Sequence, residues 1–284
     1  VKLVIVSGLS GSGKSVALHT LEDLGYYCID NLPAGLLGAL ATELSVAARP
    51  VARAAVGIDA RNLPQALEHV GTTLDDLRSR DIDIEILFLT CDNDTLIKRF
   101  SETRRRHPLS YDGLSLAEAI AREQQLLEPI SQNADLFIDT SQTTLHQLRD
   151  LIRLRIARTT DHALSILFQS FGYKHGIPVD ADFVFDTRCL PNPHWQPELR
   201  RLTGRDRAVA DFLHREPAVD AMHTSLCAFL EQWIPAFAAD NRSYLTIAIG
   251  CTGGQHRSVY LVERLAQHFR EHYPSLATRH RELS

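Results

Sequence analysis

Short, almost unbroken apolar runs recur along the first half of the chain: Leu3 to Val6, Tyr26 to Ile29, Ala54 to Ile58, Ile84 to Leu89 and Leu136 to Ile138. Runs of this length that stay apolar, rather than alternating with polar residues, predict strands buried on both faces, as in a parallel sheet. Between them apolar positions fall three and four apart, the helical period. Ala17, Leu18, Leu21 and Leu24 mark one helix, closed by Gly25 as a C-cap, and Leu145, Leu148, Leu151, Ile152 and Ile156 mark another. The alternation predicts an α/β fold of βαβ units. The polar stretch Arg158-Thr159-Thr160-Asp161-His162 then reads as a junction to a second, smaller α/β unit. Its expected strands are Ser165 to Ser170, Phe183 to Phe185 and Leu245 to Ile249, the last leading through a glycine-bearing loop into a helix marked by Val262, Leu265, Ala266 and Phe269. The expected domains are residues 1–157 and 163–284.

Composition supports this division. A chain of 284 residues exceeds the usual size of one core, so two domains are the better expectation. With 44% hydrophobic and 23% charged residues it is globular. No apolar stretch approaches the roughly 18 residues of a membrane span. The chain opens directly on the first strand, with no basic segment and apolar stretch ahead of it, which reads as cytoplasmic. Cys28, Cys91, Cys189, Cys227 and Cys251 form an odd set without C-x-x-C spacing, which argues against a disulfide framework or a zinc site and agrees with a reducing compartment. A net charge of −5 and a pI near 6.2 announce no nucleic acid, so any RNA contact must be local.

The first chemistry follows the opening strand. Gly8-Leu9-Ser10-Gly11-Ser12-Gly13-Lys14-Ser15 spells G-x-x-x-x-G-K-S between a strand and a helix, the P-loop arrangement in which backbone N–H groups and the helix N-terminus cradle phosphates. Lys14 is expected to bridge the β- and γ-phosphates of ATP or GTP and Ser15 to hold Mg²⁺, making these two the catalytic candidates. Polar residues at other strand ends, Asp30-Asn31, Asp59, Asp92 and Asp139, lie where ligands bind in such sheets, and at most two are expected to touch nucleotide or metal. Asp92 reads as a helix cap. Asp59, in Asp59-Ala60-Arg61-Asn62, is either part of a metal shell or another helix cap. Lys98-Arg99 and Arg104-Arg105-Arg106-His107, ahead of Pro108, read either as an arginine lid over the phosphates or as a solvated basic helix end.

The second domain carries Cys251-Thr252-Gly253-Gly254-Gln255-His256-Arg257-Ser258, a C-x5-R-S loop between strand and helix. Three readings stay open: a phosphate-ester nest, a cysteine phosphatase with a low-pKa thiolate, and a structural glycine turn. Phosphatases of this kind usually place His before the cysteine; here that position is Gly250. Asp186-Thr187-Arg188, with Asn192-Pro193-His194, follows a strand, and Arg188 is either a further phosphate contact or half of a loop salt bridge. Arg270, Arg279 and Arg281 give the last segment a modest positive excess, a candidate RNA contact against the plainer reading of a solvated terminal helix.

These motifs, together with Leu24-Gly25-Tyr26-Tyr27-Cys28-Ile29-Asp30-Asn31-Leu32-Pro33, Phe168-Gln169-Ser170-Phe171-Gly172-Tyr173-Lys174 and Leu190-Pro191-Asn192-Pro193, resemble the RapZ/YvcJ family along essentially the whole chain. The resemblance implies a P-loop kinase-like first domain that hydrolyses ATP and GTP. It also implies a second domain similar to part of a sugar-kinase fold, binding glucosamine-6-phosphate and RNA. Enterobacterial relatives act as RNase adapters that present a small regulatory RNA to an endoribonuclease, and a homo-oligomer is expected. On this resemblance Gly8 to Ser15 fall on the ATP loop, Asp59, Ala60, Arg61 and Asn62 on the GTP segment, and Thr252, Gly253, Gly254, His256 and Arg257 on the sugar-phosphate loop. The enterobacterial lysine- and arginine-rich tail is replaced here by Arg279-His280-Arg281-Glu282-Leu283-Ser284. A small-molecule kinase and a phosphatase using Cys251 are the competing functions.

Overall fold

The computed structural model describes residues 1–46, 51–80, 82–110, 113–156, 164–240 and 242–283. The chain divides into two units, Val1–Ala157 and Arg158–Ser284. The junction read at Arg158 to His162 lies outside the described residues.

The first unit is a five-stranded, all-parallel sheet in the order β2-β3-β1-β4-β5. Its strands are β1 (Lys2–Gly8), β2 (Tyr27–Ile29), β3 (Arg53–Gly57), β4 (Asp83–Thr90) and β5 (Leu136–Asp139). Most overrun the apolar runs by a residue or two because a parallel ladder continues through polar ends that find partners. Lys2, for example, places its ammonium 2.7 Å from the Glu85 carboxylate on β4. Tyr26 instead drops out of β2: its N–H bonds to Leu21 O at the end of a helix and its ring is buried in the turn. The helices are α1 (Lys14–Asp23), α2 (Leu37–Val46), α3 (Pro64–Glu68), α4 (Val70–Ser79), α5 (Asn93–Thr103), α6 (Leu116–Ser131) and α7 (Leu145–Ile156). Leu3, Ile5, Val56 and Ile86 from the sheet meet Leu74, Leu96 and Leu127 from the helices in one core. The chain leaves β1 toward β3 and β2 and returns on the other side with β4. This reversal puts the open crevice at the carboxyl end of β1.

The second unit is also all parallel, ordered β7-β8-β6-β9. Its strands are β6 (Ser165–Gly172), β7 (Phe183–Asp186), β8 (Tyr244–Cys251) and β9 (Ala277–His280), joined by α8 (Arg207–His214), α9 (Pro217–Ala239) and α10 (Arg257–Phe269). Every residue of β6 and β8 is buried. The expected α/β class with parallel sheets holds in both units. The plainer reading of the last segment, a solvated terminal helix, does not hold for its end. Residues 277–280 form a strand beside β6, with Leu167 opposite Ala277 and Ser170 opposite His280. Among the described residues, no helix is long and apolar enough to cross a membrane.

Candidate functional site

The turn from β1 into α1 needs backbone that only glycine adopts cheaply. Gly8 has φ 138°, and a Cβ there would lie 2.1 Å from Leu89 O on β4. Gly13, at φ 108°, opens α1. Inside the turn Ser12 Oγ donates to Leu9 O at 2.7 Å and Lys14 Nζ donates to Gly8 O at 2.7 Å, while Ser15 faces solvent at the start of the helix. Burial pushes the Lys14 ammonium below the ordinary lysine range, and the carboxylates of Glu123, Asp59 and Asp30 oppose that shift.

Side chains from four other segments close around this loop. Asp59, past the end of β3, accepts from the Arg61 backbone N–H (2.9 Å) and from Arg61 Nε (2.9 Å to Oδ2). Burial alone would raise its pKa; the Arg61 bonds and the Lys14 charge hold it below the usual carboxylate value. Asn62 is buried and spent on backbone: Oδ1 accepts from Ala34 N–H at 2.6 Å, and Nδ2 donates to Leu32 O and Asp59 O. Asp92 caps α5 through Thr95 N–H at 2.7 Å, as expected. Asp139 is likewise local, accepting from the backbone N–H and hydroxyl of Ser141.

The basic run separates into different roles. Lys98 is exposed, and Arg104 closes α5 in the left-handed region at φ 51°. Arg99 donates to Gly11 O (3.0 Å) and to Thr140 O (2.6 Å), tying the P-loop to the end of β5. Arg105 and Arg106 line a cleft of about 610 Å³ together with Gly11 to Ser15, Asp59 and Arg61. That is the size of a pocket for one small molecule. Thr140, Thr143, Thr144, Leu145 and Leu148 form another part of its wall, a region the sequence reading passed over although it follows a strand end. Beneath the loop lies a residue also missed, the fully buried Glu123 on α6, which accepts from the Ser10 N–H (2.9 Å) and the Ser10 hydroxyl (2.7 Å). Its signal was available: a glutamate interrupting the apolar stripe of Ala119, Ile120, Leu127 and Ile130.

In the second unit the loop after β8 is tightly built. Gly254, at φ 71°, leaves no room for a side chain, since a Cβ would fall 2.6 Å from Gly172 N and 2.3 Å from Glu282 Oε2. Cys251 Sγ lies 3.2 Å from the Gly254 N and 3.2 Å from Ser258 Oγ. Burial would raise the thiol, but these contacts and the nearby Arg257 charge bring it below the ordinary cysteine value. Of the residues expected to meet a sugar phosphate, Arg188, Thr252 and Gly253 reach solvent, whereas Cys251, Gly254, His256, Arg257 and Ser258 are buried. Arg257 is therefore not an open clamp: Nη1 donates to Arg188 O (2.9 Å) and Leu190 O (3.0 Å), and Nη2 to Thr252 Oγ1 (3.3 Å), while its buried Nε has no hydrogen-bond partner among the described residues. His256 bonds to Leu199 O at 3.2 Å, and burial lowers its pKa. Arg188 makes the local salt bridge, 2.7 Å from Asp186, and stacks 3.9 Å over the Tyr173 ring. Lys174, not anticipated, brings Nζ to 3.9 Å from where a Gly253 Cβ would stand.

The three arginines expected to form an RNA contact do not present a free basic run. Arg270 is exposed, but Arg279 Nη1 donates to Gln169 Oε1 (3.1 Å) and Arg281 donates to Gly176 O and His175 O, because β9 draws both into the unit. Among the described residues no group of three His, Cys, Asp or Glu could hold a metal ion.

Comparison with known proteins identifies the family of both units. A family model described as the RapZ-like N-terminal domain matches residues 1–160, and one described as the RapZ C-terminal domain matches residues 164–284. A nucleotide-binding protein of Alkalilimnicola ehrlichii is 57% identical over 285 residues, covering 100% of this chain and 99% of its own length. One of Nitrosococcus oceani is 57% identical over 283 residues, covering 100% of both. Among solved structures, shikimate kinase from Acinetobacter baumannii in complex with shikimate aligns at 14% identity and a TM-score of 0.34, over 56% of this chain and 95% of its own. That last likeness is too slight to add to the topology. With both units matched by family models and relatives more than half identical along their full length, the chain belongs to the RapZ family of nucleotide-binding proteins.

Proposed function

We propose that the first unit binds ATP or GTP, one nucleotide at a time, and hydrolyses it slowly. The observation that carries this reading is the convergence of the P-loop, Asp59 with Arg61, and Arg105 with Arg106 on one cleft. The loop backbone and Lys14 take the phosphates, and the two lid arginines neutralise charge at the transferred group. An exposed hydroxyl at Ser15 with the Asp59 carboxylate across the cleft suits Mg²⁺, which keeps waters and phosphate oxygens as its other ligands and supplies charge neutralisation when bound. Asp59, held ionised by Arg61, is a poor proton acceptor, in keeping with weak turnover. Two residues of the segment matched to GTP, Asp59 and Arg61, line the same cleft, so the two nucleotides compete. Lys14→Ala is expected to cut hydrolysis of both on the order of 100-fold while the chain stays folded. Calorimetric titration is expected to give one site per chain, with GTP displacing ATP. Unchanged turnover in a folded Lys14→Ala chain, or additive binding of the two nucleotides, overturns the reading.

For the second unit the proposal is a regulatory site for glucosamine-6-phosphate at the Cys251 to Ser258 loop, with Arg188, Thr252 and Gly253 as the solvent-facing contacts. Family membership supports an RNase-adapter role for a homo-oligomer in the cytoplasm, presenting small regulatory RNA to an endoribonuclease. The phosphatase alternative is disfavoured by the 3% exposure of Cys251, since a nucleophile must reach its substrate.

A further inference from the structure

The phosphate loop and His107, the residue that follows the arginine run, share a buried carboxylate. Besides its two bonds from Ser10, Glu123 lies 3.0 Å from Nε2 of His107, and both side chains are fully buried. Nδ1 of that imidazole accepts the Leu109 N–H at 3.2 Å, so in the neutral ring the proton sits on Nε2 and is donated to Glu123. His107 immediately follows Arg104, Arg105 and Arg106, all three exposed. Its ring packs on Phe100, 5.2 Å between centroids, and Phe100 stands 3.4 Å from where a Gly11 Cβ would be. The residue that anchors the arginine run and the second residue inside the phosphate loop are thus held by one group, 113 residues from Ser10 in sequence.

We propose that Glu123 is a positioning residue that couples the placement of Arg105 and Arg106 to the shape of the phosphate loop. Three donors converge on this carboxylate, from Ser10 and His107. A shift of Ser10 must therefore carry Glu123 and His107 with it or leave a buried donor unpaired, the costly outcome. Phosphates that settle residues 8 to 15 also settle the arginines over them. This use of the link rests on the nucleotide reading above; the link itself belongs to the chain without ligand.

The test uses the full chain and two independent readouts. Trypsin cleavage after Arg104, Arg105 and Arg106, without nucleotide and at matched global stability, reports how firmly the segment is held. Ser10→Ala, a change in the phosphate loop alone, is expected to speed that cleavage about fivefold or more, His107→Leu likewise, and the double variant no further than the faster single. In steady-state hydrolysis of Mg-ATP, His107→Leu is expected to lower kcat about tenfold with KM within about twofold, because the arginines act on the transition state. His107→Gln, which restores a donor, recovers most of the loss. Cleavage of Ser10→Ala at the parent rate, additive effects in the double variant, or kcat and KM falling together with stability would overturn the coupling. A parent chain that hydrolyses no ATP sinks the nucleotide reading instead, and the cleavage comparison still decides this one.

Discussion

Lys14 must carry its proton to hold phosphate oxygens, and burial works against it. As pH rises through its lowered folded value the ammonium is lost, so kcat/KM for ATP, which reports the free protein, is expected to fall on the alkaline side. The charges facing Lys14 are Glu123, Asp59 and Asp30, which favour the ammonium, and Arg61, which opposes it. Glu123→Gln removes one favourable charge and is expected to move that alkaline limb to lower pH. A pH profile that drops in height with the limb in place would assign Glu123 a purely structural role. The loop that carries Lys14 and Ser15 was readable because its pattern lies in consecutive residues. Glu123 was not: its partners, Ser10 and His107, lie 113 and 16 residues away, and only its place on an apolar helix face hinted at them.

At the scale of elements, the central strands were legible because parallel strands buried on both faces read as continuous apolar runs. β9 was hidden for the converse reason. It lies at the sheet edge, Thr278 and Arg279 stay partly exposed, and the sequence there looks polar. The segment after β3 shows a different confusion, between residues that build a loop and residues that meet a ligand. Asn62 fastens it to Leu32 and Ala34, beyond β2, by bonds through both ends of its amide. Asn62→Ala is therefore expected to cost about 1–3 kcal/mol in urea unfolding while leaving the ratio of KM for ATP and GTP unchanged. A shifted ratio at unchanged stability would return Asn62 to the ligand.

The molecule as a whole repeats one device: a parallel sheet with a glycine-bearing loop leading into a helix at the carboxyl end of an interior strand, β1 in one unit and β8 in the other. Each unit has its own apolar core. Mg-ATP at about 100 times its Kd is expected to stabilise the first unit by about 2.7 kcal/mol, and glucosamine-6-phosphate at the same saturation the second by a similar amount. Domain-resolved hydrogen exchange reads the two separately; protection of the wrong unit by either ligand would reassign its site. Both loops were visible in the sequence as local strings, whereas the way Arg257 and Arg281 are consumed by carbonyls depends on distant segments and was not. The pairing of β9 with β6 bears on how such a protein is dissected in the laboratory. A deletion beginning at Ala277, the obvious way to strip a basic tail, strips a strand instead and bares the edge of β6. Lost RNA retention in that truncate would report a damaged sheet, so the contribution of this basic segment is read instead from side-chain replacement, first at Arg270, which is exposed at the end of α10 and outside every strand.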